Sequence, residues 1–259
     1  MGTVGVEQLV PGIWVRQVAL EDYAVRGALL VGEERAVVWD TLSRPADMQP
    51  FLPLIADRHL VIVYSHADWD HVWGTAGLPY GRARIVAHER ARARFASDVP
   101  AALAEKRAAE PGAWDEVVLV PPTEGIERRG AIELGGLSLE LHALPGHTPD
   151  CIVGFVPERG LLLAGDTAET PFPVVPADSP LAAWVSELQR WASDDRVRAV
   201  VPAHGDIDGP EILRENAAYL EGILRGQPIE PQGVITRFYR ETHLANTRWS
   251  GAPRRAPPA

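Results

Sequence analysis

Cysteine is nearly absent. Cys151 is the only one in 259 residues, which excludes an intrachain disulfide and any zinc finger built on thiolates, and fits a reducing compartment. Cationic charge is also scarce: Lys and Arg total 25 against 35 for Asp and Glu, a formal net charge of −10. Such a surface does not collect phosphate backbones or anionic lipid, so neither nucleic acid nor membrane is expected as a partner. No apolar run approaches the roughly 18 residues of a membrane span. The stretch Met1 to Val6 has no basic start followed by an apolar run, so no signal peptide is read and a soluble cytoplasmic protein is the expectation. A Gly-x-Gly-x-x-Gly fingerprint, a P-loop and a Gly-x-Ser-x-Gly elbow are all missing, which removes the sequence grounds for a nucleotide cofactor or a serine nucleophile.

What the chain does have is a globular balance, with 46% hydrophobic and 23% charged residues, enough to bury a sizeable core. Short β-type runs open it, at Ile13 to Val18, Gly27 to Val31 and Ala36 to Trp39, followed by the unalternated Leu60 to Tyr64, which suits a strand buried on both faces. Residues 88 to 110 have helical composition, with Pro100 expected to interrupt them. Further strands are predicted at Val117 to Val120, Ala131 to Leu134, Leu137 to Leu144, Cys151 to Val156, Leu161 to Ala164 and Arg198 to Val201. Ser179 and Pro180 read as the N-cap and first position of a helix with an apolar stripe at Leu181, Trp184, Val185, Leu188 and Trp191. Glu211 to Leu224 reads as another amphipathic helix, with Ile212, Leu213, Leu220 and Ile223 inward. Two similar β-then-α halves are implied, packed sheet against sheet with helices outside. No linker divides them, so residues 1–230 are taken as one domain and 231–259 as a C-terminal segment whose last ten residues are expected to be disordered.

Four loops, each after an apolar strand, gather an unusual share of the His and Asp: Ser65 to His71, Pro145 to Thr148, Gly165 to Thr167 and Pro202 to Gly205. Strand-end loops are where a rigid scaffold presents functional groups. Imidazole and carboxylate are the ligands that zinc, iron and manganese accept in open catalytic sites. His66, Asp68 and His147 can serve one ion and Asp70, His71 and His204 another, with Asp166 bridging. Two ions a few ångströms apart would trap a hydroxide between them as a nucleophile.

These motifs, in this order, resemble the metallo-β-lactamase-fold hydrolases, among them the glyoxalase II and lactonase types. The resemblance rests on the His-x-x-x-Asp-His core of the first loop, Pro-Gly-His-Thr, Gly-Asp-Thr and the late His-Gly, and it runs from about Gly12 to Leu224. It implies an α/β fold, a four-layer αββα sandwich with the metals at the edge between two sheets. The implied cofactor is a pair of divalent ions, zinc first, with iron or manganese admitted by Asp68. The implied activity is hydrolysis, a metal-bound hydroxide attacking an ester, thioester, lactone or amide carbonyl of a small-molecule substrate. Asp70 would orient that hydroxide and pass its proton to the leaving group. The implied assembly is a monomer or homodimer. Asp40, closing the Val37-Val38-Trp39 run, looks like the family's buried aspartate that braces the metal loop.

One residue departs from the pattern: Asp68 stands where the family usually carries the second His of its first motif. With two divalent ions, Asp70, Asp166 and a hydroxide leave one positive charge in excess, and an ionised Asp68 cancels it. A less positive site acidifies water less, and an oxygen ligand favours harder ions. Flavodiiron proteins look similar here, including the eighteen residues between His147 and Asp166, though no flavodoxin-like sequence follows. A non-haem iron oxidoreductase is therefore the alternative, since His66, His147 and Asp166 form a two-His, one-carboxylate set that persulfide dioxygenases of the superfamily also resemble. A metal-binding protein without turnover is the third reading. His59, His88, His142 and His243 are assigned structural or solvated roles, Cys151 a buried apolar one, and Trp69 and Trp73 either a substrate wall or core. The run Arg82, Arg84, Arg90, Arg92 and Arg94 reads as a solvated face.

Overall fold

Apolar runs without alternation become the strands that the molecule buries on both faces. In the computed structural model, which describes residues 5–231 and 235–249, β1 (Glu7–Val10), β2 (Ile13–Ala19), β3 (Ala24–Val31) and β4 (Arg35–Trp39) form an antiparallel meander. After it α1 (Leu52–Ile55) leads to β5 (His59–Val63), which runs parallel to β4. Then α2 (Trp69–Val72) leads to β6 (Arg84–His88), and α3 (Ala91–Phe95) and α4 (Asp98–Ala109) lead to β7 (Glu124–Ile126). Both strands extend the sheet in parallel, giving seven strands in chain order. The second sheet has five strands, ordered β12-β11-β10-β9-β8. Its members are β8 (Arg129–Glu133), β9 (Ser138–Ala143), β10 (Ile152–Val156) and β11 (Leu161–Gly165), antiparallel throughout. The crossover helix α5 (Leu181–Ala192) then delivers β12 (Ala199–Pro202) parallel to β11, before α6 (Glu211–Leu224) and α7 (Arg237–Asn246).

Three cores define four layers. Ile13, Val37 and Val63 of the first sheet meet Leu139, Ile152 and Leu163 of the second in the interior between them. The outer face of the first sheet, at Leu29, Val38 and Ile62, is covered by Phe51, Trp73, Phe95 and Leu103. The outer face of the second, at Val153, Phe155 and Leu162, is covered by Trp184, Leu188, Trp191, Ile212 and Leu220. This is the αββα sandwich, with the apolar stripes of α5 and α6 inward as their spacing requires. No helix among the described residues is long and apolar enough to cross a membrane.

Several local expectations are corrected. Pro100 does not interrupt a helix: it sits in the first turn of α4, where the missing N–H costs nothing, and the break falls before it, where Ser97 is the N-cap. Residues 84–88 form β6, so the helical stretch begins later than its composition implies. Val117 to Val120 form no strand. Pro121 and Pro122 follow directly and have no N–H for a ladder, Val118 is half exposed, and the Val120 carbonyl accepts instead from Tyr64 Oη. Ser179 is not the N-cap of α5; Pro180 takes that position, and the Ser179 hydroxyl caps nothing. The C-terminal segment contains α7, whose buried positions are Tyr239, Thr242, His243 and Asn246. The expected disorder of the last ten residues concerns 250–259, which lie outside the described residues.

Candidate metal centre

The four His/Asp loops meet at one edge of the sandwich because each follows a strand that ends there. His66 and Asp68 leave β5, and the single turn of α2 presents Asp70 and His71. Asp166 follows Gly165, the last residue of β11, and His204 follows β12. Gly165 adopts φ +53°, and a Cβ on it would stand 2.8 Å from Ser65 Cβ, so the ends of β5 and β11 approach closely only because it has no side chain. Next to His147, Gly146 lies so close to the Trp184 ring that a Cβ there would run into it.

Asp166 lies at the centre. Its Oδ1 is 3.3 Å from both His71 Nε2 and His204 Nε2, and its Oδ2 is 3.6 Å from His66 Nε2 and 3.7 Å from His147 Nε2. On one side, Asp68 Oδ2 is 3.5 Å from His66 Nε2 and 3.2 Å from His147 Nε2. On the other, Asp70 is 3.7 Å from His71 Nε2 through Oδ1 and 3.7 Å from His204 Nε2 through Oδ2. The donor atoms of His66, Asp68 and His147 lie within 4.8 Å of one another, as do those of Asp70, His71 and His204 and those of His66, His71 and Asp166. All seven residues are therefore brought together, and all except the partly exposed Asp68 are buried. None of His59, His88, His142 and His243 joins these groups. His142 instead packs edge-on to Trp191 and pairs with Glu140, and His243 bonds Tyr219 Oη. Cys151 is buried beside Thr148, Trp73 is core, and Trp69 is only partly buried.

The histidines face the centre in one sense. Each Nδ1 has an oxygen partner: Asp40 Oδ2 for His71 at 2.9 Å, Ser65 Oγ for His66 at 3.0 Å, the Val174 carbonyl for His147 at 3.1 Å and the Ala24 carbonyl for His204 at 2.7 Å. An N–H donated through Nδ1 leaves the Nε2 lone pair free for a cation. His66 Nε2, His71 Nε2 and Asp166 Oδ1 are buried with no hydrogen-bond partner among the described residues. Buried polar atoms are almost always paired, so lone pairs left aimed at a common point fit a divalent ion.

Electrostatics agree with the geometry. Burial disfavours charge on His71, but Asp166, Asp40 and Asp70 outweigh it and hold its pKa well above the ordinary value. The same contest, decided by Asp166, raises His204, and the bond to Asp68 together with Asp166 raises His147. Burial works against the Asp166 carboxylate too, yet His204, His71 and His66 keep its pKa well below normal. Carboxylates that draw protons onto His71, His147 and His204 are a donor set short of positive charge.

Asp40 is the hub behind the ligand loop. Wholly buried, it accepts from Ser65 N and Ser65 Oγ at 2.7 Å each as well as from His71. Its φ of +58° is a conformation few residues other than glycine adopt.

Three residues around the site escaped the sequence reading, and a fourth, Arg94, was given another role. Tyr23, in the β2–β3 turn, lies edge-on to His204 with ring centroids 5.2 Å apart and stacks on Phe238 of α7. Glu169, buried three positions after Asp166, accepts from Val174 N, and burial pushes its carboxyl pKa up. Asn246 of α7 accepts from Val175 N at 2.9 Å and donates to the Pro173 carbonyl at 2.8 Å. Arg94 donates to Asp68 Oδ1 at 2.6 Å, which corrects the solvated-face reading at this one position, whereas Arg82, Arg84, Arg90 and Arg92 are exposed as expected. Only Glu169, close to the Gly-Asp-Thr loop, carried a sequence signal.

Asn246 and Glu169 together clamp the loop whose Val174 carbonyl orients His147. Asn246→Ala is expected to leave two buried backbone groups unpaired, lowering stability by about 2 kcal/mol, and to weaken metal binding about tenfold by releasing His147. Denaturant unfolding and chelator competition measure the two effects; a stability loss without any change in metal binding would separate α7 from the site.

The family model of the metallo-beta-lactamase superfamily matches residues 24–208. No curated protein matches the sequence. Among solved structures, a metallo-beta-lactamase from Pontibacter korlensis is similar with a TM-score of 0.66 at 19% identity, over 83% of this chain and 98% of that one. A metallo-beta-lactamase family protein from Thermus thermophilus gives a TM-score of 0.67 at 21% identity, over 84% and 82%. The metallo-beta-lactamase FIM-1 of Pseudomonas aeruginosa, solved in a mono-zinc form, gives 0.62 at 19% identity, over 85% and 97%. At such identities the likeness speaks for the fold.

Proposed function

Because the chain belongs to the metallo-beta-lactamase superfamily, we propose that it is a metal-dependent hydrolase acting on an ester, thioester, lactone or amide carbonyl of a small molecule. The observation that carries this reading is the convergence of four imidazole Nε2 atoms and three carboxylates, with Asp166 between two triads. His66, Asp68 and His147 would hold one ion, Asp70, His71 and His204 the other, with Asp166 shared. Divalent cations bound there supply Lewis acidity to a carbonyl oxygen and acidify water to a nucleophile at neutral pH. Zinc suits the imidazoles; the oxygen of Asp68 admits iron or manganese.

The chain's own groups do the rest. The buried Asp70 carboxylate faces His71 through Oδ1 and His204 through Oδ2. It orients the attacking water, accepts its proton and returns that proton to the leaving group. Tyr23 is kept neutral by burial and by the nearby Asp70 charge, so its O–H stays a donor beside the reacting centre. Asp40, Ser65 and the Val174 and Ala24 carbonyls fix the imidazole tautomers.

The rival reading is a non-haem iron oxidoreductase, favoured by the His66, His147 and Asp166 set about one carboxylate oxygen. An ester, thioester and lactone panel assayed under nitrogen decides between them. Turnover without oxygen, lost on chelation and restored by zinc, is expected; no turnover there, with oxygen uptake on a persulfide, would favour the iron chemistry.

A further inference from the structure

Arg94 does not behave like its neighbours in the Ala91-Arg92-Ala93-Arg94 run. Arg92 is exposed and donates to the Thr123 carbonyl, whereas the Arg94 side chain is 20% exposed and forks among three carboxylates. Its Nη2 donates to Asp68 Oδ1 at 2.6 Å and to Asp98 Oδ2 at 2.7 Å, and its Nη1 to Asp150 Oδ1 at 3.1 Å. Asp150 is wholly buried, and its other oxygen accepts from Ala67 N at 2.9 Å. One guanidinium thus grips the Ala67-Asp68 corner of the candidate metal loop twice, directly at Asp68 and through Asp150 at Ala67.

We propose that Arg94 is a positioning residue for the metal centre, making Asp68 a one-oxygen ligand. With Oδ1 taken by the guanidinium, only Oδ2 faces His66 and His147. A free carboxylate at this partly exposed position can turn to solvent or chelate through both oxygens; an anchored one offers a single fixed lone pair. Arginine suits the task because its planar fork holds two carboxylates in fixed geometry, which an ammonium cannot.

This assignment rests on the metal-centre reading above, so the test must separate the two. Arg94→Met and Arg94→Lys are made in the native sequence and in an Asp68→His background. Zinc stoichiometry and dissociation constants are read by competition with a chromophoric chelator, with circular dichroism and melting as fold controls. In the native background Arg94→Met is expected to weaken one of two bound ions about 10–100-fold, and Arg94→Lys to recover part of that loss. With histidine at position 68 the same replacement should change affinity by no more than about twofold, because an imidazole offers no second oxygen for the guanidinium to hold and only the grip through Asp150 at Ala67 is lost. Equal losses in both backgrounds would assign Arg94 a purely architectural role through Asp150 and Asp98, and an unchanged constant in the native background would also overturn the proposal. Should Arg94→Met not fold, the Arg94→Lys pair carries the same comparison. Native protein that binds none of zinc, iron and manganese would overturn the metal centre itself, whereas normal metal binding with uniform losses overturns Arg94 alone.

Discussion

Asp166→Ala is expected to reduce metal content below about one tenth of the native level and hydrolysis with it. The reason is geometric. Among the described residues, Asp166 is the one side chain within 3.7 Å of all four converging imidazoles, with one oxygen turned to each triad. Its charge is also the leading influence that raises His71 and His204 against their burial. Removing it deprives both proposed ions of a shared ligand at once, whereas loss of Asp68 or Asp70 touches one triad. The fold should survive, since the sheet beneath it is held by the inter-sheet core at Leu139, Ile152 and Leu163. Elemental analysis with a melting curve reads both; a folded variant that keeps its metal would remove Asp166 from the centre.

Asp40→Ala is expected to act on stability first. The carboxylate is wholly buried and accepts from Ser65 N, Ser65 Oγ and His71 Nδ1. Deleting it strands three donors in the interior, a loss of about 3–5 kcal/mol, and alanine at φ +58° fits that backbone no better. Asp40→Asn keeps the shape but turns an amide N–H toward one of those donors, and should cost about 1–3 kcal/mol. In Asp40→Ala, His71 loses the bond that fixes its tautomer, so the triad of Asp70, His71 and His204 should bind metal more weakly than the triad built on His147. Denaturant unfolding and metal titration test the ranking. Equal stability of native protein and Asp40→Ala would show that these hydrogen bonds do not hold the loop.

Which features were readable in the sequence follows from which forces set them. Glu211–Leu224 has the bounds its periodicity gives, because burial against a sheet demands an apolar stripe. Leu161–Gly165 was legible as an apolar run, since both its faces are covered. The four strand-end loops were legible because chemistry-bearing residues cluster in sequence as they do in space. By contrast, α7 buries Thr242, His243 and Asn246 alongside Tyr239, so a search for apolar period passes over it. Val117 to Val120 had strand composition and no partner, because two prolines follow. Nothing in Ala91-Arg92-Ala93-Arg94 says which arginine turns inward; that depends on Asp68, Asp98 and Asp150 arriving from three segments. Tyr23 and Asn246 likewise reach the site only through tertiary folding.

Anomalous diffraction on either side of the zinc and iron edges, from crystals of protein purified without added metal, addresses the site itself. Two peaks are expected, one among His66, Asp68 and His147 and one among Asp70, His71 and His204, with Asp166 between them. A map with no peak at these side chains, or with a cation bound elsewhere, would contradict the metal centre and every role derived from it.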